Sequence, residues 1–377
     1  EDGIRDYKVT GVQTCALPIL LGELILNAQL FSASDFTSSM PVRTKRRSGK
    51  ALRVVWRLCI HEDQGALMVD GHDANWLKPA WEQFRARLKS DRLAHALLLQ
   101  GPGGIAKSQL ARKIASSLLC LETRDDEACG ACRSCNLLQG GAHPEQFLVA
   151  PEEDSQDIKI KQIRGLIEQL SLTTTISPRK VALINPAERM NPNSANALLK
   201  TLEEPPGSSV IILVSSDPTR LPVTIRSRTQ SLLVAPPSLE EGADWLVRTG
   251  ELTPEQASQA LTAAGGAPLR ALDYQRRELV PAYFELKEQL HRLRSSPEGV
   301  AAASTQLRDF DPDALWLWLS QSAGDRLRSA RRGASGRGFL ADLQKKADRN
   351  RNLVKTAVRG DLLLRDWLIE WSLPGLS

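Results

Sequence analysis

The chain lacks any long apolar run. No stretch approaches the roughly 18 consecutive apolar residues that a membrane helix needs. The chain also does not open on the basic, apolar and small-residue segments of a secretory signal. We therefore expect a soluble protein of the cytoplasm.

A strong net charge is also missing. The 49 Lys and Arg residues nearly balance the 44 Asp and Glu residues, which leaves a net charge of +5 at pH 7. A solvated surface explains so mild an excess at least as well as a nucleic-acid footprint, so we expect any contact with DNA to be weak or shared with partners. At 377 residues, 42% of them hydrophobic, the chain has room for two or three globular domains.

Cysteines are few, and two of the six, Cys15 and Cys59, fall in an N-terminal segment that we set apart. Residues 1–19 resemble the translation of a sequencing adapter, so we interpret them as an artefact. Residues 20–67 show neither periodicity nor caps, and we treat them as an unassigned leader that need not be translated. The basic run TKRRSGK is alternatively an arm for nucleic acid. Met68 is our preferred start.

The other four cysteines lie close together in the chain: Cys120, Cys129, Cys132 and Cys135. Two Cys-x-x-Cys steps share a middle cysteine, and Gly130 eases the tight turn between them, a pattern typical of a zinc site. Four thiolates leave no position for water, so the predicted Zn²⁺ is structural. Free thiols or disulfides are the alternative, and a cytosolic chain disfavours disulfides. We expect the nearby His143 to be a loop residue.

From His95 onward, apolar runs alternate with helical patterns. We interpret HALLLQ, EQFLVAP, KVALIN, SVIILVSS and QSLLVAP as short buried strands. Apolar residues at helical spacing occur in KSQLARKIASSLL, KIKQIRGLIEQLSL and SANALLKTLEE. This alternation predicts an α/β domain with a parallel sheet in three layers, which we place in residues 68–236.

After Pro236-Pro237 the pattern changes to helices without strands. We expect a small helical unit over residues 237–279, and a bundle of long helices over residues 280–377 that serves oligomerisation. The Trp and Leu stripes of these helices are interpreted as core or subunit interface. The basic stretches Arg326–Arg332 and Lys345–Lys355 are interpreted as solvated surface.

The turn after the first predicted strand, GPGGIAKS, is one residue short of the phosphate-binding pattern G-x-x-x-x-G-K-[ST]. Gly101 and Gly104 are its glycines, and Lys107 and Ser108 are the residues that such loops direct at phosphates and Mg²⁺. Ala106 stands where the second glycine of the pattern belongs, and its Cβ is expected to weaken phosphate binding without abolishing it. ATP is therefore a weak candidate ligand.

A second departure concerns the acidic residues that ATP hydrolysis needs. A hydrolysing loop protein uses an Asp to hold Mg²⁺ and commonly a neighbouring Glu to polarise water. The strand in VALINPAERM ends instead in Asn185-Pro186, which carries no carboxylate. We expect Glu188 to face solvent or a neighbouring residue. The sequence therefore predicts little or no ATP turnover.

The run NALLKTLEEPPGSSVIILVSSDPTRLPVTIRSR, with the cysteine module and the phosphate loop at these distances, resembles the clamp-loader branch of the AAA+ proteins. The resemblance covers residues 76–236 and continues more weakly to the C-terminus. It implies an AAA+ P-loop domain with a zinc module at 120–140, then a helical lid and a helical collar. In that branch the ATPase subunits keep an Asp-Glu pair where this chain has Asn185-Pro186. The δ′ type of bacterial DNA polymerase III has lost it, and the chain resembles that type.

The resemblance also implies a role for Arg228. Members of the family carry Ser-Arg-Cys here and present the arginine to the ATP of a neighbouring subunit, and this chain reads Ser227-Arg228-Thr229. Such an arginine finger stabilises charge that develops on the γ-phosphate. Arg226 is a nearby competitor for the role, and a solvated surface arginine is the alternative.

Two nucleotide-sensing positions of the family match this chain more loosely. One falls at Ser215 or Ser216, at the end of a predicted strand, and the other at Arg270 in GGAPLRAL. Without the acidic pair, both residues are interpretable as relics of a lost site.

Together, these features imply a non-hydrolysing clamp-loader subunit. Its partners would be the γ/τ ATPase and δ subunits and, through the assembled complex, the sliding clamp and primed DNA. The alternative is an active γ/τ-like ATPase in which Glu188 or another carboxylate replaces the missing acid. A zinc-dependent DNA-binding protein is a third, weaker reading, because the cysteine module has no strongly basic helix.

Overall fold

The computed structural model describes residues 74–153, 155–250, 252–330, 336–354, 356 and 358–373. The predicted adapter segment 1–19, the leader 20–67 and the preferred start at Met68 lie outside these residues. No helix of the described ranges is long and apolar enough to cross a membrane.

Five parallel strands form the sheet, in the order β2-β3-β4-β1-β5. They are β1 Ala96–Gln100, β2 Gln146–Val149, β3 Lys180–Ile184, β4 Ser209–Ser215 and β5 Gln230–Leu233. Every residue of β3 and β4 is buried, as expected for strands covered on both faces. The predicted strands and their parallel arrangement are confirmed.

Side chains of β1 alternate between two hydrophobic clusters. Leu97 and Leu99 pack in the cluster that contains Trp81 and Leu110, which lie on helices. Ala96 and Leu98 pack in the other cluster, with residues of two further helices, Ile160–Ser171 and Pro192–Glu203. Because successive residues of a strand point to opposite faces, the sheet lies between two layers of helices. The predicted three-layer arrangement is therefore confirmed.

Helices of the α/β part follow or precede the strands. They are α1 Lys78–Lys89, α2 Lys107–Leu119, α3 Arg133–Gln139, α4 Ile160–Ser171, α5 Pro192–Glu203 and α6 Val223–Arg226, with short 3-10 turns at Asn75–Leu77, Ala187–Arg189 and Pro218–Arg220. Helix α5 shows why such bounds arise: the Asn191 side chain accepts the N–H of Ser194, and Pro192 occupies the first turn. The helix ends just before Pro205-Pro206, as the sequence predicts.

After β5 the described residues form helices only. These are α7 Leu239–Gly250, α8 Pro254–Ala263, α9 Pro268–Arg276, α10 Val280–Ser295, α11 Val300–Leu307, α12 Pro312–Ser329, α13 Arg337–Leu353 and α14 Gly360–Trp371, with a 3-10 turn at Pro297–Gly299. Thr253 caps α8 by accepting the N–H of Gln256, whose side chain accepts the N–H of Thr253 in return.

Three buried tryptophans connect these helices. Trp318, Trp367 and Trp371 donate through Nε1 to backbone carbonyls of α8, α13 and α10, at 2.9, 3.0 and 3.0 Å. A buried indole N–H without a partner would be costly, so each bond lets an aromatic ring enter the core. The tryptophan stripes therefore belong to the core of this chain.

Basic residues of the C-terminal helices are largely engaged by neighbours. Lys346 lies 2.5 Å from Asp366 and 2.6 Å from Glu370. Arg337 donates to two backbone carbonyls, and the Arg326 guanidinium lies 4.6 Å from the centre of the Trp371 ring. Arg326 and Lys346 are therefore partly buried and engaged within the chain, whereas the sequence interpretation was a solvated surface.

A buried carboxylate fastens the loop before β3 to the start of β2. Glu145 is 2% exposed, and its oxygens accept the N–H and the hydroxyl of Thr175, both at 2.7 Å. They also accept the N–H groups of Ile176 and Ser177. Burial alone would raise the pKa of Glu145, but these donors outweigh burial and lower it.

We predict that Glu145→Gln destabilises the fold by about 2 kcal/mol at pH 7, because bonds to an ionised acceptor are stronger than bonds to an amide. The folded-state pKa is lowered, so the carboxylate contributes fully above the unfolded pKa near 4.5 and less as the pH falls through the folded value. The difference between wild type and variant, measured by denaturant unfolding, should therefore shrink below about pH 4.5. Glu153→Gln, at an exposed position, is the control, and an equal effect of the two variants would contradict the prediction.

Candidate functional site

The phosphate-loop sequence forms a tight loop between β1 and α2. Gly104 has a φ of +78°, and Ala106 has a φ of +67°, in the left-handed region that favours glycine. An L-residue in this conformation costs on the order of 1 kcal/mol. The sequence prediction that Ala106 stands at a glycine position is therefore borne out by its backbone. A Cβ at Gly101 would lie only 2.2 Å from the Val234 carbonyl, so this glycine is required by close approach.

Lys107 turns back into the loop. It is 1% exposed, and Nζ donates to the Pro102 carbonyl at 2.6 Å and to Ser216 Oγ at 3.0 Å. Ser216 follows the last residue of β4, so the structure brings this candidate sensor into the loop region. Ser215 Oγ is buried and has no hydrogen-bond partner among the described residues. The Lys107 ammonium therefore donates hydrogen bonds to groups of its own chain.

The residue that replaces the expected acid contacts the loop directly. Asn185 follows β3, and its Nδ2 donates to Ser108 Oγ at 3.0 Å. An amide donor thus faces the hydroxyl that would otherwise help to hold Mg²⁺. Pro186 adds no side-chain oxygen at the next position.

Glu188 faces a neighbour, one of the two alternatives expected from the sequence. Its Oε1 accepts the N–H of Ser216 at 3.0 Å, and its Oε2 is buried without a hydrogen-bond partner in the part of the chain that the structure describes. Because Ser216 also accepts from Lys107, this carboxylate lies close to the phosphate loop.

Two further elements pack on the loop. The Leu269 N–H of helix α9 donates to the Gly104 carbonyl at 3.0 Å, and a Cβ at Gly103 would lie 2.7 Å from an Arg270 guanidinium nitrogen. The Trp76 indole donates to the Ile105 carbonyl at 3.0 Å. Arg270 is thus at the loop, as the family pattern implies. The Trp76 contact was not foreseen from the sequence.

The four cysteines converge on one point. Their sulfur atoms, from Cys120, Cys129, Cys132 and Cys135, all lie within 4.8 Å of one another. Three of the separations are 3.6, 3.9 and 4.0 Å. A tetrahedron with metal–sulfur bonds of about 2.3 Å has edges of about 3.8 Å, so the cluster fits one four-coordinate metal ion.

Backbone N–H groups point at the sulfur atoms of this cluster, and they lower the pKa of Cys129, whereas burial outweighs them at Cys120 and Cys135 and raises the pKa of those two thiols. The N–H groups of Glu122 and Cys129 point at Cys120 Sγ at 3.4 and 3.3 Å, and the Cys132 N–H points at Cys129 Sγ at 3.3 Å. Burial raises the pKa of Cys132, but N–H groups and neighbouring thiols outweigh burial and lower it to about 6. A thiol that ionises near neutral pH is suited to metal ligation.

A network of buried polar groups lies next to the cysteine cluster and joins His143, Ser134 and Ser177. His143 Nδ1 accepts the N–H of Glu145, so Nε2 carries the proton and lies 2.9 Å from Ser134 Oγ, between two of the cysteines. Ser134 and Ser177 both donate to the Leu119 carbonyl at the end of α2. His143 is a loop residue, as expected, and it holds α3 in place without being a ligand.

Arg228 lies away from the phosphate loop of its own chain, just after α6. Its guanidinium contacts Glu203, the last residue of α5, and the Thr224 carbonyl, and it stays on the protein surface. Arg226 is also exposed. The structure therefore separates the two arginines from Lys107 and Ser108 of the same chain.

Comparisons with known proteins give a consistent result. The family model described as DNA polymerase III, delta subunit, matches residues 76–238. The chain is 42% identical over 197 residues to DNA polymerase III subunit delta′ of Pseudomonas aeruginosa, which covers 52% of this chain and 59% of that protein. It is 30% identical over 262 residues to the same subunit of Yersinia pestis, covering 67% of this chain and 76% of that protein.

A weaker match is to another subunit. DNA polymerase III subunit tau/gamma of Haemophilus influenzae is 37% identical over 142 residues, which covers 37% of this chain and 20% of that protein. The chain spans about three fifths of the length of the first two delta′ relatives that it matches, 59% in each case.

We predict that the chain purifies with one tightly bound metal ion, because the four sulfur atoms already have tetrahedral spacing. Removing the ion with a chelator, or making Cys132→Ala, should lower the unfolding midpoint by about 5 °C or more. Metal content by elemental analysis and thermal unfolding measure the two effects. Thr173→Ala, at an exposed position, is the control. Protein that is metal-free and equally stable would contradict this prediction.

Proposed function

Because this chain belongs to the family of DNA polymerase III δ′ subunits, we propose that it is a non-hydrolysing subunit of the replicative clamp loader. In this role it positions Arg228 at the ATP site of a neighbouring ATPase subunit and helps to load the sliding clamp onto primed DNA. Its partners would be the γ/τ ATPase and δ subunits, with the clamp and DNA contacted through the assembled complex.

The contact between Asn185 and Ser108 carries this proposal. Hydrolysis of ATP in a P-loop site needs a carboxylate beside the Ser or Thr that binds Mg²⁺. Here an amide nitrogen stands 3.0 Å from the hydroxyl and donates to it. An amide N–H cannot coordinate Mg²⁺, and the Asn185 side chain lacks the negative charge of a carboxylate, so this contact supports the proposed loss of hydrolysis.

The contacts of the phosphate loop also support a subunit that does not hydrolyse ATP. The Lys107 ammonium is held by the Pro102 carbonyl and Ser216, and helix α9 and Trp76 pack on the loop backbone. A nucleotide would have to displace the lysine contacts and tolerate Ala106. We propose that the loop keeps the shape of a nucleotide site and that any ATP it binds is not turned over.

The position of Arg228 supports action in trans. Its polar partners are Glu203, Thr224 and Ser227, none of which belongs to the phosphate loop. An exposed guanidinium at the end of a short helix can reach the phosphates of an adjacent subunit. Lys107 and Asn185, by contrast, contact the phosphate loop or the serine that follows β4.

The rest of the chain fits the same architecture. We propose that residues 68–236 form the AAA+ core, residues 237–279 the lid and residues 280–377 the collar that joins the subunits. We further propose that the four-cysteine centre holds Zn²⁺, because a closed set of four thiolates suits zinc and leaves no open position for catalysis.

A second candidate function is an active γ/τ-like ATPase that uses Glu188. One observation favours it: within the described ranges, Glu188 Oε2 is buried and without a hydrogen-bond partner, beside the serine that contacts Lys107. A carboxylate in that place could act on water near a bound phosphate. It lies on the Ser216 side of the loop, however, whereas Ser108 faces Asn185.

We predict that Arg228→Ala slows ATP hydrolysis by the assembled loader and leaves assembly intact. The neighbouring site that it serves should lose about 10³-fold or more in rate, because charge developing on the γ-phosphate is no longer stabilised. ATPase assays on the reconstituted complex, with assembly followed by size-exclusion chromatography, measure this effect. Arg226→Ala is the matched control, and normal turnover with Arg228→Ala would refute the proposed role.

We also predict that the purified chain alone releases no ADP above background. Steady ADP release that Lys107→Ala and Glu188→Gln both abolish would instead support the second candidate. The assay is a coupled measurement of ADP with Mg²⁺ and ATP, and Glu204→Gln controls for loss of an exposed carboxylate away from the loop.

A further inference from the structure

The candidate arginine finger is held by a carboxylate of its own chain. Glu203 ends helix α5, and its Oε1 lies 2.6 Å from Arg228 Nε and 2.5 Å from the Arg228 NH2 nitrogen. One carboxylate oxygen thus occupies the edge of the guanidinium formed by these two nitrogens. Glu204, the next residue, is also exposed and makes no such contact in the described structure.

The other edge of the guanidinium is also engaged. Arg228 Nη1 donates to the Thr224 carbonyl at 2.9 Å, and it lies 3.5 Å from Ser227 Oγ. An arginine grips a phosphate best with two parallel N–H donors from one edge. Neither edge of Arg228 is open in this arrangement, so a bidentate grip requires that some contact be released.

The Glu203 contact is the one that a phosphate can replace most directly. The Arg228 and Glu203 side chains are 35% and 49% exposed, so water and ions reach the pair. Exposed ion pairs are weak, and a γ-phosphate carries more negative charge than one carboxylate. The Thr224 contact is to backbone and can persist, which would keep the side chain beside α6.

We propose that Glu203 is a positioning residue that latches Arg228 in a stored orientation, and that the γ-phosphate of the neighbouring subunit's ATP displaces it. This inference rests on the proposed function, because it presupposes that Arg228 acts in trans. In this arrangement the Glu203 carboxylate competes with the γ-phosphate for the Arg228 guanidinium. The arginine then binds the phosphate only where the phosphate attracts it more strongly than Glu203 does. Removing the latch should make the finger more available.

The test compares Glu203→Gln with its matched control Glu204→Gln in the reconstituted loader, with ATP, clamp and primed DNA present. Glu203→Gln should raise kcat/KM for ATP by about 1.5-fold to 5-fold, the range expected of an exposed ion pair, and Glu204→Gln should have no effect. The gain should shrink as salt is raised, because salt also weakens the latch of the wild type. A purely structural role for Glu203 would produce no salt-dependent gain.

Two further variants separate the possible failures. Glu203→Asp keeps the charge but shortens the side chain by one methylene, so it should also raise kcat/KM. This variant takes the place of Glu203→Gln if Glu203→Gln folds poorly. In an Arg228→Ala background, Glu203→Gln should change nothing. If Arg228→Ala slows turnover but Glu203→Gln leaves kcat/KM unchanged or lowers it, the latch is refuted while the finger stands. If Arg228→Ala has no effect, the proposed function itself fails.

Discussion

The parallel arrangement of the sheet determines where every candidate residue of the loop region lies. Because β1, β3 and β4 run in the same direction, their carboxyl ends meet at one edge. The phosphate loop leaves β1 there, Asn185 leaves β3, and Ser216 leaves β4. Asn185 lies 77 positions after Ser108, and Ser216 lies 109 positions after Lys107, yet the residues of each pair are within hydrogen-bond distance. An antiparallel pairing of any one of these strands would disperse the site.

The cysteine centre depends on a different kind of constraint. Its ligands sit on the end of α2, a loop and the start of α3, none of which is held by sheet hydrogen bonds. The neutral His143 and the Glu145 carboxylate instead join α3, the end of α2 and the loop before β3 through buried hydrogen bonds. A bound metal would add covalent links to this network, so the module combines two independent means of fixing its geometry.

Much of the fold was predictable because it depends on local patterns. Short apolar runs and helical spacing located the strands and the main helices, and the spacing of the cysteines anticipated their convergence. The pattern also placed a glycine position at Ala106, but the left-handed backbone there became visible only in the structure. Contacts between residues that are distant in sequence were less predictable. The sequence did not indicate that Trp76 binds the Ile105 carbonyl or that Glu203 holds Arg228, because periodicity carries no information about which surfaces meet. For Glu188 the sequence left solvent or a neighbour open, and tertiary packing selected the neighbour.

Ala106 has a consequence for how the loop is retained. A left-handed alanine is less favourable than a glycine, yet the loop keeps its turn because Trp76, Leu269 and Arg270 all pack on it. The loop has thereby become a junction between the N-terminal helix, the sheet and the helical part of the chain. The contacts of these three residues help to preserve its shape. Substitutions at Gly101 and Gly104, where an added Cβ would meet neighbouring atoms, should accordingly lower the yield of folded protein.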